Sequence, residues 1–244
     1  MRHVLITGGA GVIGSHLADF YLRAGHKVTV IDNLSTGLRE NISEKAEFIE
    51  HDITSEGWTS LLPADVTHVF HLAAQSSGEI SFENPVYDVK TNTVATLELL
   101  RWSFENNIEK FIFASSMNVY GAVEDKAVDE NCITQPESFY AVGKVASENY
   151  MRIYSDMGLS TAVLRLFNVY GPGQNMANMK QGMVSIYCAF VANDEVVLVK
   201  GSENRFRDFV YIDDVIIALN LASASDEKYE IYNMSYLNTL WDYI

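Results

Sequence analysis

The chain has 244 residues, 48% of them hydrophobic and 20% charged, enough to bury a substantial core as one large domain with a small appendage. Its 17 lysines and arginines face 32 aspartates and glutamates, a formal charge of −15, which argues against nucleic acid or an anionic membrane surface as a partner. Two cysteines, Cys132 and Cys188, are too few for a disulfide framework, so a reducing cytosol is the expected compartment and both thiols are read as core filling.

In chain order, His3 to Thr7 reads as a strand. Its Val4-Leu5-Ile6 run is too short for a signal peptide, and no apolar stretch approaches a membrane span. The glycine-rich turn Thr7-Gly8-Gly9-Ala10-Gly11-Val12-Ile13-Gly14 follows directly, and then a helix from Ser15 to Ala24 stopped by Gly25. Near-continuous apolar strands are predicted at Lys27 to Ile31, Ala46 to Glu50, Thr67 to Leu72, Lys110 to Ser115 and Thr161 to Phe167. Between them, helical periodicity covers Val86 to Asn106 and Ser138 to Met157, the latter ending at Gly158.

Beyond Gly171-Pro172-Gly173 the pattern gives a helix at Gln181 to Ala192 and a strand at Val196 to Lys200. A polar stretch leads into Arg207-Asp208-Phe209 and Asp213-Asp214, which begin a helical run at Val215 to Ala222. A strand follows at Glu230 to Met234. The alternation predicts an α/β fold, a doubly wound parallel sheet of the Rossmann type. Residues 1–170 are assigned to the dinucleotide-binding domain. Residues 171–244 are assigned to a partial substrate-binding region interleaved with the late Rossmann elements.

The glycine turn lies between a strand and a helix, and Gly9, Gly11 and Gly14 match G-x-G-x-x-G, as Gly8, Gly11 and Gly14 match G-x-x-G-x-x-G. Missing side chains let the backbone approach a pyrophosphate, whose charge meets the free amides at the helix start. About twenty residues on, Asp32 ends the second strand, where a carboxylate accepts bonds from ribose hydroxyls and repels a 2′-phosphate. That favours NAD over NADP, with Arg39 close by on the other side of the balance. Asp32 also suits a cap on the loop from Asn33 to Gly37.

Tyr140 and Lys144 stand four apart on a predicted helix, and so share one face. With the dinucleotide turn, a phenol and an ammonium side by side point to redox chemistry on an alcohol. His68 and His71, three apart on a strand, point to opposite faces and form no metal pair; His71 is read as a core residue behind the site. Asp213-Asp214 is read as a helix start. Met176, Met179 and Met183 are read as filling near a ligand-covering segment.

These residues resemble an extended short-chain dehydrogenase/reductase of the NAD-dependent epimerase/dehydratase family, most similar to nucleotide-sugar 4-epimerases of the UDP-glucose 4-epimerase type. The resemblance rests on the glycine turn, Val30-Ile31-Asp32-Asn33, His51-Asp52-Ile53, His71-Leu72-Ala73-Ala74, Asn92, Ala114-Ser115-Ser116-Met117-Asn118-Val119-Tyr120-Gly121, the Tyr140/Lys144 pair, Leu164 to Gly173 and Arg207-Asp208-Phe209. It implies that Ser116, Tyr140 and Lys144 are catalytic. It also implies that Gly8, Gly11, Val12, Ile13, Gly14, Asp32, Asn33, Asp52, Ile53, Leu72, Ala73, Ala74 and Asn92 join Tyr140 and Lys144 in holding NAD.

Ser76, Ser116, Asn168 and Arg207 fall where the family contacts the nucleotide sugar, and a guanidinium grips phosphate oxygens with two parallel bonds. UDP follows from the resemblance alone. Bringing a phenol from a pKa of about 10 to near 7 takes roughly 4 kcal/mol of phenolate stabilisation, with Lys144 and the nicotinamide charge as expected suppliers. Sugar 4,6-dehydratases of the family carry an Asp-Glu pair after the catalytic threonine, and decarboxylases a glutamate where Asn118 stands, whereas this chain has Met117-Asn118. Epimerisation through a 4-keto sugar is therefore expected, with a 4-ketoreductase or dehydratase as the alternative.

Similar enzymes continue past the strand Glu230 to Met234, while this chain stops at Ile244. A truncated substrate side, and hence a non-catalytic NAD-binding scaffold, is the rival from another class. Helices 86–106 and 138–157 match the segments through which family members dimerise.

Overall fold

The computed structural model describes residues 1–122, 127–176, 182–197, 199 and 207–236. Seven parallel strands form one sheet in the order β3-β2-β1-β4-β5-β6-β9. They are β1 (His3–Thr7), β2 (Lys27–Asp32), β3 (Glu47–Glu50), β4 (His68–His71), β5 (Lys110–Ser116), β6 (Thr161–Leu166) and β9 (Tyr229–Met234). The intervening helices are α1 (Val12–Arg23), the short α2 (Gly78–Ser81), α3 (Pro85–Val89), α4 (Ala95–Glu105), α5 (Phe139–Met157), α6 (Met183–Ala192) and α7 (Ile212–Ala224). A second, two-stranded sheet pairs β7 (Asn168–Tyr170) with β8 (Phe209–Tyr211).

The central strands are apolar throughout because the sheet is covered on both faces. Successive side chains of a strand alternate between the faces. Val4, Ile6 and Ile112 therefore meet Leu17 and Tyr21 of α1 and Val215 and Leu219 of α7. Leu5, Phe111 and Phe113 meet Leu99 of α4 and Met151 of α5 on the opposite side. Each such side chain contributes about 2 kcal/mol relative to exposure. The order places β1 between β2 and β4, so the chain turns opposite ways out of the C-terminal ends of β1 and β4 and leaves a crevice there.

Four expectations are corrected. The helix read as continuous over Val86 to Asn106 is α3 and α4 joined by a π-turn, Lys90–Val94. Val196, Val197 and Val199 carry no strand, and the other two residues of that predicted element lie outside the described residues. Cys188 is exposed and Cys132 half-buried, so neither fills the core. Met176 is 43% exposed rather than packed, Met183 is half-buried, and Met179 lies outside the described residues. Asp213 and Asp214 do occupy the first turn of α7, where carboxylates meet the positive end of the helix.

Candidate functional site

The crevice is a cleft of about 300 Å³ lined by the glycine turn, the loop after β2, His51 to Ile53, Leu72 to Ala74 and residues from the C-terminal part. Gly8 has φ +73°, and a Cβ there would lie 2.7 Å from Ala73 N; one on Gly14 would lie 2.3 Å from the Gly8 carbonyl oxygen. Side chains at either position would push this turn off the neighbouring backbone. No side chain caps α1, whose N-cap is Gly11, so the amides of its first turn are left for an anion. Gly8, Gly11, Val12, Ile13 and Gly14 all line the cleft.

Asp32 both lines this cleft and braces it. Its carboxylate accepts the Ala10 N–H at 3.0 Å and the Leu34 N–H at 2.8 Å, so the loop-capping role is real and ties the glycine turn to β2. On the rim, Asn33 Nδ2 donates to Asp52 at 3.0 Å, and Asp52 also accepts from Thr54 N and Oγ1, each at 2.8 Å. Burial pushes the Asp52 carboxyl up, but these bonds outweigh it and hold it below the ordinary range. Arg39 stacks over the Phe48 ring, 4.7 Å from its centroid.

The opposite wall hangs on a hydrogen-bond chain of fixed direction. Thr7 Oγ1 accepts the amides of Leu72 and Ala73 at 3.2 and 3.1 Å, which leaves its own proton for His71 Nδ1 at 2.7 Å. His71 therefore carries its proton on Nε2 and donates to Thr96 Oγ1 at 2.9 Å, which donates to the Asn92 carbonyl, also at 2.9 Å. Burial, with Lys144 nearby, pushes His71 down to about 3, so it stays neutral.

Ser116 ends β5 and caps the 3₁₀ turn Met117–Tyr120, accepting the Asn118 N–H at 3.2 Å. Tyr140 enters from the first turn of α5, whose N-cap Ser138 accepts the Ala141 N–H. The Ser116 hydroxyl stands near enough to the Tyr140 phenol to favour its ionised form. One turn along, Lys144 Nζ donates to the Ala114 carbonyl at 2.8 Å and lies 5.6 Å from the Tyr140 ring centroid. The three residues are 8%, 6% and 2% exposed, a dry cluster behind the cleft wall at Ala114.

Burial pushes the Tyr140 phenol up to about 12, with Ser116 acting against it and Asp88 adding to it. Burial also brings Lys144 down to about 7, opposed by Asp88 and Glu148. Burial by itself thus favours the protonated phenol, and the expected poise near 7 calls on the nicotinamide charge as well as Lys144. A positive charge entering the cleft is what would favour the phenolate.

Other predicted residues divide into two groups. Ser76 lines the cleft, as do Asn33, Asp52, Ile53, Leu72, Ala73 and Ala74. Asn92 lies behind it, 1% exposed, its carbonyl also taking the Ser147 hydroxyl at 2.7 Å. Asn168 Nδ2 donates to the Asp208 carbonyl at 2.7 Å across the β7–β8 pair, which brings Asn168 and Arg207 to one corner outside the cleft lining. The Asp208 carboxylate accepts the Tyr236 N–H.

Sequence reasoning missed Tyr87, Thr91, Gln174 and Ser185, which also line the cleft, and the buried Asp88 with its partner Gln75. The one signal was a polar i, i+4 pair, Asp88 and Asn92, inside an amphipathic segment. Also missed was the Glu148–Arg165 ion pair at 2.7 Å, which ties Ser115, Tyr120 and Asn233 together beneath the cluster.

A doubly wound sheet with a glycine cradle at its switch point and a Ser-Tyr-Lys cluster on the adjoining strand and helix defines a dinucleotide-dependent enzyme class acting on alcohols. The chain matches the NAD dependent epimerase/dehydratase family over residues 4–235 and belongs to it. It is 36% identical to the UDP-glucose 4-epimerase of Mycolicibacterium smegmatis over 88% of this chain and 71% of that one. The solved UDP-glucose 4-epimerase from Thermotoga maritima, with UDP-glucose, is 38% identical and superposes with a TM-score of 0.90 over 96% of this chain and 77% of its own. That of Thermus thermophilus, in complex with NAD, is 37% identical, with a TM-score of 0.86 over 96% and 78%.

The cradle fits a dinucleotide on the structure's own terms, since Gly8 and Gly14 let the turn pack tightly on its own backbone, the start of α1 carries no side-chain cap, and Asp32 faces the cleft. NAD is the cofactor. Asp32→Ala is expected to weaken NAD binding by more than tenfold, the worth of a charge-assisted pair of bonds. NADP binding should fall less, and titration of both dinucleotides checks this. An equal loss would leave Asp32 a loop brace alone.

Proposed function

We propose that the chain is an NAD-dependent nucleotide-sugar epimerase that inverts C4 through a transient 4-keto sugar, with a UDP-sugar as substrate. The observation that carries this reading is the buried Ser116-Tyr140-Lys144 cluster beside the cleft, with no carboxylate in the turn that follows Ser116. That turn is Met117-Asn118-Val119-Tyr120, so it offers no extra carboxylic acid or carboxylate for losing water or carbon dioxide. When bound, NAD supplies the acceptor and donor of the C4 hydride.

The chain's own residues handle the proton. Ser116 holds the C4 oxygen and passes its proton to Tyr140 Oη, and Lys144 supplies positive charge to the phenolate. Once the keto sugar has turned over, the same phenol returns the proton to the new hydroxyl. Asn168 and Arg207, at the β7–β8 corner, are assigned to the diphosphate, and Ser76 to the sugar. Residues 171–244 are assigned to the substrate side.

UDP-glucose or UDP-GlcNAc incubated without added reductant should give the C4 epimer, followed by proton NMR. Conversion only with added NADH and a 4-keto sugar would indicate the ketoreductase. Bound NAD without turnover of any nucleotide sugar would indicate the scaffold.

We also assign the molecule to the cytosol as a homodimer. The free thiols fit a reducing compartment, and among the described residues no helix is long and apolar enough to cross a membrane. Val94 at the end of the π-turn, Leu97 on α4, and Phe139, Val142 and Ile153 on α5 are 38–52% exposed, apolar surface suited to a second copy. Sedimentation should give a dimer, and Val142→Glu should give the monomer.

A further inference from the structure

Two acceptor oxygens behind the cluster have no donor among the described residues, Asp88 Oδ1 and Asn92 Oδ1. Their side chains are 0% and 1% exposed. The other Asp88 oxygen takes Gln75 Nε2 at 2.8 Å and Asn92 Nδ2 at 3.1 Å. These neutral donors hold the carboxylate in place without cancelling its charge. A Cβ on Gly143 would lie 3.1 Å from Thr93 Oγ1, 3.2 Å from Asn92 Cβ and 3.7 Å from Asp88 Oδ1. The glycine next to Lys144 is therefore what lets α5 approach the π-turn closely enough to set Asp88 against the backbone turn that carries Lys144.

A buried charge is stabilised by an opposite one nearby. The titratable groups near Lys144 are Asp88 on α3, Tyr140 and Glu148 on α5, and His71 on β4. Arg165 on β6 is paired with Glu148 at 2.7 Å, and His71 is neutral. Among these described groups Lys144, whose Nζ donates to a carbonyl and lies 4.5 Å from the Phe113 ring centroid, is the cation on which the Asp88 charge acts, through space rather than as a direct ion pair.

We propose that Asp88 is a positioning residue whose carboxylate is the counter-charge that keeps the Lys144 amine protonated beside Tyr140 at neutral pH. This rests on the reading of Tyr140 and Lys144 as the reacting pair. Burial alone drives the ammonium to shed its proton, and Asp88 and Glu148 oppose it. Arg165 neutralises Glu148, so the balance falls to Asp88. The same charge pushes the Tyr140 phenol up, favouring a proton on both members of the pair.

The test is a titration of Lys144 in protein carrying lysine labelled with ¹³C at Cε, with and without NAD, the resonance assigned through Lys144→Met. Asp88→Asn should lower the amine midpoint by about one unit or more, as loss of an opposite charge does. Asp88→Glu should keep the midpoint near that of the parent protein. The alkaline limb of the kcat profile for UDP-sugar should move down with it, with KM little changed. Asp88→Ser, equally neutral, carries the same reading where the asparagine variant does not fold. An unmoved midpoint, or a kcat lowered equally at every pH, overturns the proposal. A moved midpoint in protein that turns over no nucleotide sugar would remove the epimerase reading and leave this one standing.

Discussion

Tyr140→Phe should lower nucleotide-sugar turnover by about a thousandfold, within the range that positioned proton transfer contributes, while bound NAD and the melting temperature stay close to those of the parent protein. The substitution removes one oxygen from a side chain that is 6% exposed and leaves the ring over which Lys144 sits. The glycine cradle and Asp32, to which the dinucleotide is assigned, make no use of that oxygen. Retained turnover would move the proton chemistry to another group. Lost turnover with lost NAD would mean that the phenol supports the cleft rather than the reaction.

Glu148→Gln should cost about 3–5 kcal/mol of stability, the typical penalty for stranding one member of a buried ion pair, and lower the melting temperature by roughly 10 °C for a chain of this size. Glu148 and Arg165 are 5% and 4% exposed. Arg165 donates to both Glu148 oxygens and to Tyr120, and Tyr120 donates to Asn233 at 2.7 Å. The network joins β5, α5, β6 and β9 directly beneath Ser116 and Lys144, so activity should fall along with stability. Glu148→Leu combined with Arg165→Met should melt above either single charge deletion, because no charge is then left alone. Thermal unfolding of the three variants distinguishes this from simple loss of packing. A double variant no better than the singles would contradict the account.

Most of this architecture was legible because its signals are local. The Val4 to Ile6 run, the glycine spacing at Gly8, Gly11 and Gly14, and the four-residue step from Tyr140 to Lys144 each follow from a backbone period or a steric requirement within one turn. What stayed hidden depends on partners distant in sequence. Three residues at Asn168 become a strand only because Phe209–Tyr211 lies beside them, and nothing in either segment announces the other.

The π-turn at Lys90–Val94 looks helical in sequence because one extra residue per turn barely disturbs the period. Asp88 was invisible as a member of the site, since a lone aspartate in an amphipathic helix reads as solvated until Gly143 brings α5 against it. Cys188 was misjudged by composition alone, as a small apolar residue with no information about which way α6 faces. The phenol's resting protonation also could not be read from Tyr140 and Lys144 as a pair. It follows from how completely the fold buries both.

The most direct test of the central claim is to give the NAD-loaded protein a UDP-sugar carrying deuterium at C4 and to follow both the configuration and the label. The account predicts inversion at C4 with the deuterium kept on that carbon, because the hydride leaves and returns within the closed cleft while only the hydroxyl proton passes through Tyr140. Inversion with the deuterium lost to water, or folded NAD-loaded protein that inverts no UDP-sugar, would contradict it.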